Sequence, residues 1–198
     1  MNSAAVLAPT PETVSQLPSV GRVGMLSLIV AESAIFTIFV VAYLYYIGKS
    51  LSGPTPRQVL EIPVFNTICL LSSSVTIHLA GKALRNGQMA AFRAFWAATA
   101  ALGATFLLGT GREWGRLIYE DGLTIQTNLF GTTYYSLVGL HAFHVSVGLL
   151  GLSIVLVLAL AGRVTQEHAE RCEVLAMYWH FVDAVWVVVF SVVYIIGR

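Results

Sequence analysis

A histidine and a carboxylate lie three residues apart near the C-terminal end of the sequence, in a segment that is otherwise apolar. The segment reads Tyr178-Trp179-His180-Phe181-Val182-Asp183-Ala184-Val185-Trp186. Residues three apart share one face of a helix, so His180 and Asp183 can share a hydrogen bond. An ionisable side chain at membrane depth costs about 3 kcal/mol or more unless it is paired or faces the bundle interior. The pair therefore predicts a membrane helix whose polar face is turned inward.

A second ionisable group, Glu32, lies in the middle of the first apolar run of the chain. It shares a helical face, approximately, with Phe36, Phe39 and Tyr43. A carboxyl group at that depth is protonated, paired across the bundle, or exposed to a water-filled path. Two interpretations stay open: a neutral carboxyl hydrogen-bonded to a neighbouring helix for packing, or a group that conducts protons.

Two further histidines, His141 and His144, are again three residues apart on one helical face. Two ring nitrogens without a third ligand nearby make a poor metal site, so structural hydrogen bonding is the favoured interpretation. The two cysteines, Cys69 and Cys172, are far apart and belong to no CxxC or CxxCH pattern. The spacing therefore predicts neither covalent haem nor a zinc site.

The composition indicates an integral membrane protein. Hydrophobic residues make up 57% of the chain and charged residues 11%, whereas charged residues reach roughly 25% in soluble domains. Five apolar runs are long enough, the third only just, to cross a membrane. They extend over Val23–Gly48, Ile62–Gly81, Ala94–Thr110, Leu129–Gly162 and Val174–Gly197. None alternates with the period of a barrel strand, so we expect an all-α bundle of five transmembrane helices.

Residues 22–198 form the predicted transmembrane domain, and residues 1–21 are predicted to be a polar N-terminal tail. Close helix contacts are expected where small residues recur every four positions. The third run has such a stripe, formed by Ala97, Ala101 and Thr105. The fourth run has small residues expected to allow similar close contact, namely Gly139, Ala142 and Ser146. The net charge of +1 gives no reason to expect a nucleic-acid partner.

Five spaced motifs in this sequence resemble those of one family. They are Arg22-Val23-Gly24-Met25 followed by Glu32, Pro63-Val64-Phe65-Asn66-Thr67, Glu113-Trp114, the glycine and histidine segment 139–148, and Glu173 leading into the segment 178–186. In this order they are similar to subunit III of haem-copper respiratory oxidases, both the cytochrome c oxidase type and its ubiquinol-oxidising relatives. The resemblance covers the chain from about Arg22 onward.

The resemblance implies an accessory subunit without redox centres, which stabilises the catalytic subunit and supports proton uptake. It implies partner subunits I and II, which would hold the haems and copper, and contact with membrane lipids, including a bound phospholipid. Catalytic haem-copper subunits hold their metals with more histidines than the five in this chain. We therefore expect no catalytic residue, cofactor or metal in this chain itself.

The family's functional positions fall on particular residues here. Glu32 is the expected intramembrane carboxylate, and Glu113 and Trp114 are the expected acidic and aromatic pair at a helix end. The remaining positions form an expected polar network inside the bundle, made of Asn66, His141, His144, His180 and Asp183.

The family topology places the chain in the bacterial cytoplasmic (inner) membrane, with the N-terminus cytoplasmic and the C-terminus outside. Basic residues barely decide this orientation, because the 11 Lys and Arg are split almost equally between the two sides. Two alternatives are an accessory subunit of a nitric oxide reductase complex and a subunit of a quinol oxidase. A small transporter or proton channel built on Glu32 and His180 is disfavoured, since the sequence has no inverted repeat and no Pro- or Gly-broken helix centre.

Overall fold

The computed structural model describes residues 19–198, which are helical apart from their connecting loops and contain no strand. Five helices are long and apolar enough to cross a membrane, which confirms the predicted fold class. They are α1 (Val20–Tyr46), α3 (Val64–Arg85), α4 (Met89–Tyr119), α5 (Leu129–Leu160) and α6 (Ala169–Phe190). A four-residue helix, α2 (Pro56–Val59), lies in the loop before α3, and α6 continues as a π-helical segment, Ser191–Ile196.

The helices α1, α3 and α5, and α6 with its π-helical continuation, follow their predicted apolar runs to within about one helical turn and a half at either end. The largest difference is in α4, which has 31 residues where the apolar run predicted only Ala94–Thr110. Backbone hydrogen bonding continues through Arg112 and Arg116, whose long side chains can reach the membrane interface. At the other end of the chain, α1 begins at Val20, so the last two residues of the predicted polar tail are helical. Residues 1–18 of that tail lie outside the described residues.

The five long helices form one bundle with α5 and α6 at its centre. Helix α5 packs against α1, α4 and α6, while α6 also contacts α1 and α3, and α3 lies along α4. Helix α1 is peripheral, because Phe36 and Tyr43 are its only buried residues. We call the end of the bundle that holds Arg22, Arg85 and Glu173 its N-terminal end.

Asn128 fixes the start of α5 and the loop that follows α1. Its side-chain oxygen caps α5 by accepting a hydrogen bond from the backbone N–H of Gly131, at 2.8 Å. Its Nδ2 donates to the carbonyl oxygens of Ser52 and Pro54, at 3.0 and 3.1 Å. One side chain thereby satisfies a helix N-terminus and holds the connection between α1 and α3 against α5.

Trp179 occupies the centre of the bundle and depends on two glycines. A Cβ atom added to Gly103 of α4 would lie 2.7 Å from the Trp179 ring, and one added to Gly148 of α5 would lie 2.8 Å from it. The indole is fully buried, and its Nε1 donates to Ser73 Oγ at 2.8 Å. The absence of a side chain at both glycines creates the space that the Trp179 indole fills.

The predicted small-residue stripe of the third run is wrong. Ala101 is exposed, and the buried face of α4 instead carries Phe92, Trp96, Thr99, Gly103 and Phe106. In the fourth run the prediction holds only in part, since Gly139 lies against Trp114 but Ser146 is exposed. Small size at every fourth position does not distinguish the side of a helix that faces another helix from the side that faces lipid.

Candidate functional site

Glu32, the predicted intramembrane carboxylate, pairs with His144 across the seam between α1 and α5. Glu32 Oε2 lies 3.1 Å from His144 Nε2, and the two side chains are 22% and 8% exposed. The structure thus identifies the partner that the sequence left open for Glu32. The contact lies at the edge of the bundle rather than at its centre.

The proton count of this pair follows from its hydrogen bonds. His144 Nδ1 lies 2.8 Å from the carbonyl oxygen of Leu140, and a carbonyl can only accept, so Nδ1 carries a hydrogen. One further proton then lies between His144 Nε2 and Glu32 Oε2. Either a neutral carboxyl donates to a neutral imidazole, or an imidazolium donates to a carboxylate. The pair can therefore hold one mobile proton at membrane depth.

Aromatic side chains enclose the histidine of this pair. The ring of Phe36 lies 5.0 Å from the ring of His144, and Phe143 packs edge-on at 5.7 Å. The hydroxyl of Tyr178 donates to the backbone carbonyl of His144 at 3.2 Å. These contacts fix the position of the imidazole, while Glu32 keeps partial exposure at the seam.

His180 and Asp183 are joined by a third residue, Ser74 of α3. Ser74 Oγ donates to Asp183 Oδ2 and lies 3.0 Å from His180 Nδ1. The structure gives no direct hydrogen bond between His180 and Asp183, so the direct bond suggested by their spacing is wrong. Asp183 is buried as predicted, but His180 is exposed on the surface of the chain. Because His180 and Asp183 share one face of α6, both side chains contact Ser74, but they do not contact each other through a hydrogen bond.

His141 is fully buried, but the prediction that it joins the polar network is wrong. Neither ring nitrogen has a hydrogen-bond partner within residues 19–198. The ring instead stacks on Trp186 at 5.0 Å and meets Phe106 edge-on at 5.7 Å. His141 is therefore packed as an aromatic ring, three residues away from a histidine that is held by hydrogen bonds.

Asn66 also stands apart from the predicted polar network. Its side chain makes no hydrogen bond to another described residue and packs directly over Gly109 of α4, where a Cβ atom would collide with the amide group. The adjacent residue, Thr67, accepts a hydrogen bond from Trp186 Nε1 at 3.2 Å. The predicted network is therefore two separate clusters, Glu32 with His144 and Ser74 with His180 and Asp183.

Glu113 and Trp114 lie about one and a half turns before the end of α4 rather than at it, because the helix continues to Tyr119. The hydroxyl of Tyr194 donates to both carboxylate oxygens of Glu113, at 3.0 and 3.2 Å. Trp114 packs edge-on against Tyr135, with 5.3 Å between the ring centres. The pair ties α4 to α5 and to the end of α6.

Sequence reasoning did not single out Glu173 as a link between three helices. Its Oε2 pairs with Arg22 Nη2 of α1 at 2.5 Å, and its Oε1 pairs with Arg85 of α3. The sequence did contain a signal for these ion pairs. Glu173 lies just before the last apolar run, and Arg22 and Arg85 flank the first and second runs on the same side of the membrane. At the opposite end, Arg116 makes comparable links to Glu61 and to the carbonyl oxygen of Val59.

The described part of the chain offers no group of three or more His, Cys, Asp or Glu side chains placed to hold a metal ion. His141 and His144, the pair considered for a metal, have different environments. The chemistry available to the two polar clusters is hydrogen bonding and proton exchange.

Residues 15–198 match the family model described as "Cytochrome c oxidase subunit III". The chain is 39% identical over 188 residues to the cytochrome c oxidase subunit 3 of Synechocystis sp., covering 90% of this chain and 77% of that protein. It is 33% identical to the protein of the same name from Thermostichus vulcanus, covering 91% of this chain and 90% of that one. It is also similar to the cytochrome bo(3) ubiquinol oxidase subunit 3 of Pseudomonas aeruginosa, at 30% identity over 85% and 81% of the two chains. The chain therefore belongs to the cytochrome c oxidase subunit III family of the haem-copper respiratory oxidases.

Proposed function

We propose that this chain is the redox-centre-free accessory subunit of a proton-pumping oxidase of the cytochrome c oxidase type. In this role it stabilises the catalytic subunit and supports proton uptake without carrying out oxygen reduction itself. The match of residues 15–198 to the subunit III family is the observation that carries the proposal. The partners are the catalytic subunit I, subunit II and membrane lipids, and the haems and copper belong to those partner subunits.

The geometry of the Glu32 and His144 pair supports an accessory role in proton uptake. The pair holds one mobile proton, but His144 Nδ1 is bonded to the backbone carbonyl of Leu140 rather than to another side chain. A chain of proton carriers needs a next group that both donates and accepts, and a backbone carbonyl cannot donate. The pair is therefore a terminal site, which argues against an obligatory path and against an independent proton channel.

The ion pairs at the two ends of the bundle support a scaffold role. Glu173 connects α1, α3 and α6, and Arg116 connects α4 to the loop before α3. Together with the central Trp179, these contacts hold the five helices in one arrangement that a partner can bind. The proposed location is the bacterial cytoplasmic membrane, with the N-terminal end of the bundle cytoplasmic and the C-terminus outside. A bound phospholipid is part of the proposal.

A quinol oxidase is the second candidate complex, because a relative named as a ubiquinol oxidase subunit matches 85% of this chain. The identity to that relative is lower than to the Synechocystis protein. We therefore favour the cytochrome c oxidase type, with electron donation a property of the partner subunits.

Comparison of the oxidase complex purified with and without this chain tests the proposed function. We expect the complex that lacks it to reduce oxygen at first and then to lose activity during turnover, with weaker proton pumping in vesicles. An intact, long-lived and fully pumping complex without this chain would contradict the proposal. Oxidation of reduced cytochrome c or of ubiquinol by the intact complex distinguishes the two candidate complexes.

A further inference from the structure

A groove with charged and titratable side chains among mainly apolar ones descends from the N-terminal end of the bundle between α1, α3 and α6. It has a cavity volume of about 380 Å³, and its charged or titratable lining residues are Arg22, His78, Arg85, Glu173 and His180. The ion pairs of Glu173 with the two arginines form its mouth. The groove therefore has charged groups at its mouth and the imidazoles of His78 and His180 further along its lining, with apolar residues such as Leu26 and Met177 beside them.

The two histidines of the groove lie at the same depth. His78 is seven residues before Arg85 on α3, and His180 is seven residues after Glu173 on α6. At the rise of an α-helix both are roughly 10 Å below the charged mouth. Both imidazoles are exposed on the surface of the chain. Such groups are costly against lipid tails, which favours water beside them.

Beyond His180 the polar path continues into the protein through Ser74. Ser74 has a single hydroxyl hydrogen, which it donates to Asp183 Oδ2, so His180 Nδ1 donates to Ser74 Oγ at 3.0 Å. A neutral ring with its hydrogen on Nδ1 leaves Nε2 as an acceptor. Asp183 is 3% exposed, and its Oδ1 has no partner within residues 19–198. From the groove inward, His180 Nε2 is an acceptor, His180 Nδ1 donates to Ser74 Oγ, and Ser74 Oγ donates to the buried carboxylate of Asp183.

We propose that the groove, His180 and Ser74 form a proton relay that stores one proton on Asp183. A protonated water in the groove gives its extra proton to His180 Nε2 and becomes neutral water, and the Nδ1 hydrogen passes to Ser74 Oγ. The original hydroxyl hydrogen of Ser74 passes to Asp183 Oδ2. One proton enters, the aspartate becomes a neutral acid, and the imidazole ends neutral with its hydrogen on Nε2. The reverse sequence returns the proton to the groove.

The relay rests on the proposed function, because it assigns a specific site to proton support by this subunit. The groups that face His180 are Arg22 on α1, His78 and Arg85 on α3, and Glu173 on α6. Ser74 is the only side chain hydrogen-bonded to Asp183 in the described part of the chain. Asp183 therefore exchanges protons with the groove through Ser74. The relay is separate from the Glu32 and His144 pair, which shares no hydrogen bond with it.

Infrared spectroscopy of the complete oxidase complex in vesicles tests this relay. The band of a protonated Asp183 is identified by its absence in an Asp183→Asn variant. Its shift after transfer from H₂O to D₂O then gives the exchange rate. Ser74→Ala interrupts the relay. Ser153→Ala is the matched control, because Ser153 is exposed on α5. Among the described residues its hydroxyl donates only to the carbonyl oxygen of Leu149.

We expect exchange at Asp183 to slow by about tenfold or more in Ser74→Ala, since a positioned proton-transfer group typically contributes a factor of 10² or more. His180→Gln is expected to slow it similarly, and Ser153→Ala to leave it unchanged. If Ser74→Ala fails to assemble, His180→Gln decides the question, because the exposed imidazole contributes no core packing. Exchange at the wild-type rate in the relay variant that assembles, or no carboxylic band lost in Asp183→Asn, would overturn the relay.

Co-purification separates failure of the relay from failure of the proposed function. If the chain did not purify with a haem-copper oxidase, the proposed function would fail, and the relay would fail with it. If wild-type chain and variants all purified with an active oxidase while the exchange rate stayed the same, only the relay would fail.

Discussion

Glu32 Oε2 of α1 lies 3.1 Å from His144 Nε2 of α5, within hydrogen-bond distance. Among the five long helices, α1 has the fewest buried residues. The hydrogen bond from His144 Nδ1 to the carbonyl oxygen of Leu140 fixes the imidazole ring that Glu32 contacts. The pair therefore fastens a peripheral helix to the centre of the bundle. It also keeps a proton-exchanging group at a seam that is partly exposed.

Substitutions at Glu32 separate attachment of α1 from proton transfer. Glu32→Gln retains shape and a hydrogen-bond donor for His144, so most oxygen reduction and pumping should persist. Glu32→Leu leaves His144 Nε2 without a partner and should destabilise the subunit by about 1 to 3 kcal/mol. Thermal stability, oxygen consumption and proton pumping in vesicles measure both effects. Complete loss of turnover and pumping in a normally assembled Gln variant would make Glu32 an obligatory proton carrier, against this account.

A hydrophobic carbodiimide should modify Glu32 selectively. The reagent reacts with a neutral carboxyl in an apolar setting, and Glu32 is partly exposed at the seam of α1 and α5. Glu120 is exposed at the end of α4, outside an apolar setting, and should be spared. Mass spectrometry of the digested subunit locates the label. Labelling of Glu120 without Glu32 would indicate that the pair is an imidazolium and a carboxylate instead.

Gly148→Ala should destabilise the bundle because the new methyl group would lie 2.8 Å from the fully buried ring of Trp179. Overpacking of this kind costs about 1 to 3 kcal/mol. Gly111→Ala is the matched control, since an added Cβ there meets no atom within 4 Å, and alanine is the better helix former. Thermal unfolding of the assembled complex compares them. Equal stability of the two variants would show that Trp179 can move aside.

Loss of Glu173 should matter more than loss of either arginine that it binds. Glu173→Gln removes two ion pairs at once and separates α1, α3 and α6 at their common end. Arg22→Gln and Arg85→Gln each remove one half-exposed pair, so each should cost at most about 1 kcal/mol. Glu170→Gln is the control, because Glu170 is exposed one turn earlier on α6. The thermal stability of the four variants is measured in low and high salt. Equal loss of stability in all four would contradict this ranking.

Asp183→Asn should be milder than Asp183→Leu. Asparagine keeps the shape of the side chain and an oxygen that can accept the hydrogen bond from Ser74. Leucine removes that acceptor, so the Ser74 hydroxyl loses its partner next to the buried position 183. An unsatisfied buried polar group costs about 1 to 3 kcal/mol. Assembly of the complex and its thermal stability measure the difference. Wild-type assembly and stability in both variants would remove the structural role of Asp183.

The sequence alone predicted five membrane helices because long apolar runs have few alternatives in a membrane. It did not predict the full length of α4, since hydropathy falls at Arg112 and Arg116 although backbone hydrogen bonding does not stop there. The same distinction limits the site. Spacing placed His180 and Asp183 on one face, but only the packing of α3 against α6 brings Ser74 between them.

Two histidines three residues apart show the limit most clearly. His144 meets a carboxyl group on α1, whereas His141 stacks on Trp186 and its ring has no hydrogen bond to any of residues 19–198. Residue type and spacing therefore do not show which of the two histidines forms hydrogen bonds and which one packs as an aromatic ring. Which role each histidine takes depends on the neighbouring helix, and a single sequence carries little information about that neighbour.

Affinity purification of this chain from its native membranes in mild detergent tests the central claim most directly. Visible spectra, metal analysis and subunit masses are measured on the complex, and metal analysis is repeated on the separated chain. We predict that a catalytic haem-copper subunit purifies with it, that haem and copper remain with the partner subunits, and that the separated chain carries neither. Haem or copper bound stoichiometrically to this chain, or its recovery without any haem-copper oxidase subunit, would contradict the account.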